Sequence, residues 1–129
     1  MNFLWVALGG AIGSILRYSV GLALPRPASP ESVPISTLFV NGLGCFLIGL
    51  LFAVLSTRDL ENNPGWLIGA VGLLGGFTTF STFGLDTLRL VREGYLANAL
   101  LYVCLTLVLT LVLTWIGFGM GSKFTLSAG

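Results

Sequence analysis

The stretch that decides the fold is Gly75-Gly76-Phe77-Thr78-Thr79-Phe80-Ser81-Thr82-Phe83, which lies inside an otherwise apolar segment. Adjacent glycines are poor helix formers, and four hydroxyl residues fall within positions 78–82. Hydroxyls in a bilayer need partners, and non-helical backbone is tolerated there only where protein or a watery cavity surrounds it. The stretch therefore predicts a helix break that presents polar groups at membrane depth.

The composition around this stretch is that of a membrane protein. Of the 129 residues, 55% are hydrophobic and only 9% are charged, and the mean hydropathy is +0.96. An apolar run of about 20 residues is long enough to cross a bilayer as a helix. We predict one all-α transmembrane domain over residues 1–129 with the third helix broken, and with spans at about 3–24, 35–55, 66–90 and 95–120.

Several classes of function find no support in the composition. The net charge of +1 leaves no basic footprint for nucleic acid. The chain has no histidine, and it lacks the motifs of zinc proteases, serine hydrolases and phosphate-binding loops. Cys45 and Cys104 show no metal-ligand spacing, and we expect them to be buried apolar side chains. The sequence therefore does not predict an enzyme.

The loop charges do not choose an orientation in the membrane. Four spans place Arg58 and Lys123 on one side, against the three arginines at positions 26, 89 and 92 on the other. Two positive charges against three are almost no bias under the positive-inside rule. Either a few residues outside this comparison decide the orientation, or the chain inserts both ways and pairs as an antiparallel dimer.

Two polar side chains lie within the first two spans. Arg17 has seven residues left before Leu24, so it is either an interfacial anchor that snorkels outward or a positive charge near the mouth of an anion path. Asn41 either bonds across helices to fix their packing or donates an amide N–H to an anion. Both alternatives stay open for each residue.

The central stretch has two possible uses. Broken backbone exposes carbonyls, which are good ligands for a hard cation. Hydroxyls and the positive edges of phenyl rings favour a small anion. Phe77, Phe80 and Phe83 at spacing three predict one helical stripe, for which lipid or core packing is the alternative.

The nine residues 75–83 resemble the signature of the CrcB/Fluc family of fluoride channels, small bacterial membrane proteins with GG, a hydrophobic residue, S/T and then TFSTF in the third helix. Weaker matches follow in the same order along nearly the whole chain. An arginine late in the first helix matches Arg17, and a T-L-x-x-N motif matches Thr37 to Asn41. An acid after the signature matches Asp86, and a fourth-helix tyrosine followed by hydroxyls matches Tyr102, Thr106 and Thr110.

The resemblance implies a fluoride-selective channel in the bacterial inner membrane that exports fluoride passively. It implies antiparallel, dual-topology dimers with two pores, formed with a second copy or a paralogous subunit in membrane lipid. A structural sodium ion, which is not transported, would be held by the backbone carbonyls of Gly75 and Thr78.

The same resemblance assigns the pore. Phe80 and Phe83 would offer ring edges to fluoride, Asn41 would donate its amide, and Arg17 would lie near a vestibule. Five hydroxyl residues, which we call the polar track, would line the path: Thr37, Ser81, Tyr102, Thr106 and Thr110.

Two other classes of membrane protein compete with the channel. A proton-coupled small multidrug exporter also has four helices and is often of dual topology, but it needs a carboxylate deep in the membrane, and the first two spans contain none. A non-conducting structural subunit explains the glycines but leaves the hydroxyl and phenylalanine cluster without a purpose.

Overall fold

The structure is a computed structural model that describes residues 2–25, 27–55 and 59–127. Within those ranges every regular element is helical. Four segments are long and apolar enough to cross a membrane, as predicted. We label the helices α1 (Asn2–Ala23), α2 (Ile35–Leu55), α3 (residues 64–77), α4 (Phe80–Arg92) and α5 (Leu96–Ser127).

The predicted bounds are close for the first three spans and too short for the last. α5 runs to Ser127, seven residues beyond the predicted end at 120. Hydroxyl side chains in this added stretch bond back to the helix: Ser122 Oγ donates to the Phe118 carbonyl at 2.9 Å, and Thr125 Oγ1 donates to the Ser122 carbonyl at 2.9 Å. The residues after Met120 therefore continue the helix, because their hydroxyls are satisfied within it.

No pattern in the sequence predicts the geometry of α3. It begins at Pro64, after Asn63 accepts a hydrogen bond from the Trp66 N–H as a helix cap. The eight residues Leu67–Leu74 then form a π-helix. At its end the Gly75 N–H reaches the Ala70 carbonyl, five residues back. Long π-helical runs are rare, and short ones often occur at functional sites.

The predicted break in the third span is confirmed, and it lies just after the glycine pair. Gly75–Phe77 is still helical, whereas Thr78 and Thr79 have extended backbone with ψ values of 159° and 111°. α4 then begins at Phe80. The break separates Phe77 from Phe80 and Phe83, so the prediction of one continuous phenylalanine stripe is wrong.

Glycines allow two pairs of helices to pack closely. α1 packs on α3, and α2 packs on α5. A Cβ atom added at Gly13 would overlap the Leu73 carbonyl oxygen, and one added at Gly117 would overlap the Phe46 carbonyl oxygen. These two glycines belong to the pairs Gly9/Gly13 in α1 and Gly117/Gly121 in α5, whose GxxxG spacing allows helix backbones to approach closely.

Replacing Gly13 with alanine is expected to destabilise the fold, because the methyl group meets rigid backbone and must push α1 away from α3. Overpacking of this kind costs about 1–3 kcal/mol. The matched control is Gly21→Ala on the same helix, where nothing lies within 4 Å of the added Cβ. The midpoint of thermal unfolding in detergent measures both variants, and equal midpoints would contradict the close contact.

α4 connects to α5 by a tight turn that ends α4. Gly94 has a φ of 89°, a conformation that glycine adopts readily. The Tyr95 N–H bonds to the Leu90 carbonyl at 2.8 Å, and the Gly94 N–H bonds to the Val91 carbonyl at 3.1 Å. These two bonds form a Schellman motif. The turn brings α4 onto α5, where Phe83, Leu90, Ala99 and Tyr102 form a buried cluster.

The outer surface of the described chain is strongly apolar, as expected for a protein in lipid. Large apolar side chains such as Ile15, Leu111 and Trp115 are exposed. Cys45 and Cys104 are both free, and Cys104 is exposed, so the expectation that both are buried is wrong for Cys104. Arg26 and Arg58, used in the charge comparison, lie outside the described residues; the antiparallel dimer stays a prediction.

Candidate functional site at the helix break

Asn41 holds the broken backbone in place. Its Oδ1 accepts a hydrogen bond from the Thr79 N–H at 2.7 Å, and its Nδ2 donates to the Thr79 carbonyl at 3.0 Å. In a continuous helix the Thr79 N–H would be donated to the Gly75 carbonyl. The side-chain amide thus replaces the backbone partners that Thr79 loses at the break. This is the cross-helix bonding expected of Asn41 as a packing residue, and its amide carries a second N–H as well.

The hydroxyl of Thr79 starts α4. Thr79 Oγ1 accepts from the Thr82 N–H at 3.2 Å and donates to Thr82 Oγ1 at 2.9 Å. Ser81 Oγ lies 3.3 Å from the same atom. Threonine is a preferred residue at this capping position. Sequence reasoning assigned Ser81 but missed Thr79 and Thr82, although a hydroxyl residue directly before a predicted helix is a recognisable capping signal.

Arg17 reaches from α1 to the same break. Its Nη1 donates to the Thr78 carbonyl at 3.2 Å. Thr78 itself bonds backward, since both its N–H and its Oγ1 are donated to the Leu74 carbonyl at 2.9 Å. The guanidinium of Arg17 is therefore directed into the protein, toward the break, and does not serve only as an outward-facing anchor.

The break sets two helix ends of opposite polarity next to each other. The last carbonyls of α3 and the first N–H groups of α4 lack the hydrogen-bond partners that a continuous helix would give them. The aligned peptide dipoles give the carbonyl end a partial negative charge and the N–H end a partial positive charge. Discontinuous helices in membrane proteins use these two ends to bind cations and anions respectively.

A cavity of about 310 Å³ opens at the break. Most of the predicted site residues line it, and they are Asn41, Gly75, Thr78, Phe80, Phe83, Thr106 and Thr110. None of the lining residues is charged. A second cavity of about 220 Å³ is lined by Arg17, Thr37, Thr79 and Thr82 among others. Thr79 lines both cavities, so the backbone that Asn41 holds lies between them.

The two phenylalanines of α4 lie in contrasting surroundings. Phe80 is 81% exposed in the single chain, whereas Phe83 is only 8% exposed. Their ring centroids are 5.4 Å apart at an angle of 46°. Phe83 also contacts the Tyr102 ring at 5.2 Å and 52°. Tilted rings of this kind present edge hydrogens, which carry partial positive charge, toward their neighbours.

The α5 members of the polar track lie four residues apart and share one helix face. Tyr102 and Thr106 are buried, and neither hydroxyl has a hydrogen-bond partner within the described residues. Thr110 instead donates to the Thr106 carbonyl at 2.8 Å. A buried hydroxyl without a partner costs about 1–3 kcal/mol. These two hydroxyls are therefore free to bond to a polar group that enters this part of the protein.

Thr37 and Asp86 join α2 to α4 at the far end of the polar track. Thr37 Oγ1 donates to Asp86 Oδ2 at 2.9 Å. The buried Tyr102 hydroxyl has both side chains among its polar neighbours. The family resemblance matched Asp86 to an acid after the signature but gave it no place in the pore. Its spacing from Thr79, two helical turns along α4, is the signal that could have placed it on the same face.

The carbonyls predicted as sodium ligands lie at the negative end of α3. Gly75 is exposed in the single chain, and the N–H that would bond its carbonyl in a continuous helix is taken by Asn41. The Thr78 carbonyl accepts from Arg17. Within the described residues no group of three histidine, cysteine or acidic side chains could hold a metal. A cation at the break would therefore depend on backbone oxygens, which hard cations accept.

Together these features define a multi-pass membrane protein with a polar, non-helical centre. The family model described as "CrcB-like protein, Camphor Resistance (CrcB)" matches residues 4–118, so the chain belongs to the CrcB family.

Three relatives carry the name "Fluoride-specific ion channel FluC". A protein of Thermus thermophilus is 48% identical over 93% of this chain and 94% of its own length. One of Helicobacter pylori is 44% identical over 95% and 94%, and one of Acidobacterium capsulatum is 39% identical over 95% and 98%. The family is thus one of ion channels and not of enzymes.

Proposed function

We propose that the chain is a fluoride-selective channel of the bacterial inner membrane that lowers cytoplasmic fluoride by passive export. The observation that carries this proposal is the cavity at the helix break, which is lined by hydroxyls, an amide and phenyl rings and by no charged side chain. The names of the relatives agree with it.

The chemistry of the lining suits a small, strongly hydrated anion. Such an ion leaves water only where several close donors replace its hydration shell. Asn41, Thr106 and the ring edges of Phe80 and Phe83 supply donors or positive edges without a full charge. A pore must bind its ion well enough to admit it and weakly enough to release it. An uncharged lining meets both conditions.

The channel acts as an antiparallel dimer of two copies or of this chain with a paralogue. Phe80 and Gly75 line the cavity at the break yet are exposed in the single chain, so the cavity has an open wall. An 81% exposed phenylalanine beside buried polar groups fits a surface covered by a partner. The near balance of loop charges allows both orientations in one membrane.

A structural sodium ion is proposed at the meeting point of the two copies. The residues that would hold it are Gly75 and Thr78 through their carbonyls, which lie at the negative end of α3. Hard cations of this kind take several oxygen ligands. Two carbonyls from one chain are too few, and a second copy doubles them. The ion would neutralise the partial charges where two carbonyl ends face each other.

Replacing Arg17 with glutamine is expected to raise the apparent affinity for sodium about tenfold. The guanidinium of Arg17 donates a hydrogen bond to the Thr78 carbonyl, which we assign as a sodium ligand. Two unit positive charges about 5 Å apart repel by about 3 kcal/mol at an effective dielectric constant of 20. The measurement is the sodium dependence of the thermal unfolding midpoint, with N-methylglucamine as the replacing cation and exposed Arg92→Gln as the control. If Arg17→Gln needs more sodium than wild type for the same rise in the unfolding midpoint, Arg17 and sodium do not compete at the Thr78 carbonyl.

The proposed function is tested by fluoride efflux from liposomes that contain the purified protein. We expect rapid efflux of fluoride and none of chloride. The rate should not depend on an imposed proton gradient, which distinguishes a channel from a proton-coupled exporter. If the protein alone passes no fluoride in the presence of sodium, co-reconstitution with a paralogous subunit decides between a heterodimer and failure of the proposal.

A further inference from the structure

Arg89 is a half-buried cation that the proposed pore does not use. Its Nε and Nη2 atoms are buried, and neither has a hydrogen-bond partner within the described residues. Arg89 lies in the last turn of α4, where a positive charge also stabilises the helix dipole. Arg92, one turn on and exposed, is placed to serve that purpose too. Dipole stabilisation therefore does not require that these two nitrogens of Arg89 be buried.

The surroundings of Arg89 contain more donors without acceptors. The Tyr102 hydroxyl is 0% exposed and also lacks a hydrogen-bond partner in the described chain, and Arg89 is among the charged groups that act on it. Asp86, three residues earlier on α4, accepts at Oδ2 from Thr37. The guanidinium of Arg89 is thus left with two buried N–H donors to satisfy. An anion, which only accepts hydrogen bonds, matches such a set of donors.

The site is placed where ions could reach it from outside. A surface cavity of about 620 Å³ lies along α4, lined by Leu85, Asp86, Leu88, Arg89, Arg92 and Glu93. Asp86 and Arg89 line this cavity, and the charges of both act on Tyr102, the first α5 residue of the polar track. The cluster therefore connects the surface with the polar track.

We propose that Arg89 and Tyr102 form a binding site for a small anion at the Asp86 end of the polar track, and that this site receives fluoride. The inference rests on the proposed channel function. Asp86 carries a negative charge that would repel an anion on this path, and the charge of Arg89 offsets it. The same acid keeps the site from holding the anion tightly, so the ion can move on. Arg89 is thus the residue that allows an anion to pass Asp86.

The test compares Arg89→Gln, Arg89→Lys and Arg92→Gln in two measurements. The first is the rate of fluoride efflux from liposomes at low and high ionic strength. The second is the rise of the thermal unfolding midpoint on adding sodium fluoride in place of sodium chloride. Electrostatic guidance of a charged ligand changes rates by about 10-fold to 1,000-fold and falls with salt.

We expect Arg89→Gln to slow efflux about tenfold at low ionic strength, with a smaller difference at high ionic strength, and to reduce the stabilisation by fluoride. Arg89→Lys keeps the charge and should retain part of both effects, and Arg92→Gln should change efflux less than twofold.

The inference is overturned if Arg89→Gln matches Arg92→Gln in both measurements. It is also overturned if Arg89→Gln lowers the unfolding midpoint but keeps the wild-type salt dependence and fluoride stabilisation, since Arg89 would then be only structural. A wild-type protein that passes no fluoride counts against the proposed function, while the fluoride stabilisation still decides the binding site.

Discussion

Phe80→Ile is expected to abolish fluoride efflux, with a loss of at least about 100-fold, equivalent to about 2.7 kcal/mol in the barrier to permeation. Isoleucine is apolar and bulky but has no ring edge of positive charge to face an anion. Phe80 lines the cavity at the break and is 81% exposed in the single chain, so its loss should cost the fold of one chain little. The measurement is fluoride efflux from liposomes with chloride as the reference ion.

Phe52→Ile is the matched control for this effect. Phe52 lies on α2 in a different cavity, where it contacts Trp66 and Phe118 at centroid distances of 6.1 and 6.0 Å. The same loss of a ring there should leave efflux near the wild-type rate. Efflux through Phe80→Ile within tenfold of wild type would show that its ring does not contact the permeating ion. Equal losses in both variants would point to a general effect of aromatic packing.

Asn41→Leu is expected to disrupt the helix break and with it both folding and efflux. The substitution removes the side-chain amide that bonds to the backbone N–H and carbonyl of Thr79, and it leaves both groups unpaired. Each buried polar group without a partner costs about 1–3 kcal/mol, so the loss is about 2–6 kcal/mol. This is a large share of the 5–15 kcal/mol that is typical of whole domains. The thermal unfolding midpoint and the yield of folded protein in size-exclusion chromatography measure it.

Asn98→Leu is the control for Asn41→Leu. The Asn98 amide also donates to a backbone carbonyl, that of Glu31 at 2.9 Å, but the contact is exposed and water can replace it. We expect a change within about 0.5 kcal/mol for such a surface site. An Asn41→Leu protein as stable as wild type would contradict the structural role of Asn41. If that stable protein also failed to pass fluoride, the amide would act on the ion alone.

The sequence predicts the break because its signals are local. Two glycines, two adjacent threonines and the apolar residues around them act within a few positions, and the break lies at Thr78 and Thr79, inside the predicted stretch. The local signals do not say which residues of the stretch leave the helix, and the glycine pair does not. Those glycines remain helical, since Gly76 gives α1 room to approach near Gly10.

The residues of the polar track were predicted by family resemblance, and the structure divides them. Thr106 and Thr110 line the cavity at the break, whereas Ser81 is exposed and bonds to Thr79, and Tyr102 is buried against Phe83. Thr37 lies on the other side of Thr79, in the second cavity. No local signal predicts this division, because it depends on which face of α2 meets the break.

By itself, the sequence determined four apolar spans, the interruption of the third and the polar residues within them, because hydrophobic length and backbone propensity act over short stretches of chain. Only the tertiary structure decided the partners of those residues. Arg17 bonds to the Thr78 carbonyl, Asn41 bonds to both the N–H and the carbonyl of Thr79, and two buried guanidinium nitrogens of Arg89 have no hydrogen-bond partner among the described residues. The contacts of Arg17 and Asn41 depend on how α1 and α2 are rotated and placed against α3, and glycines at these helix contacts allow the close approach.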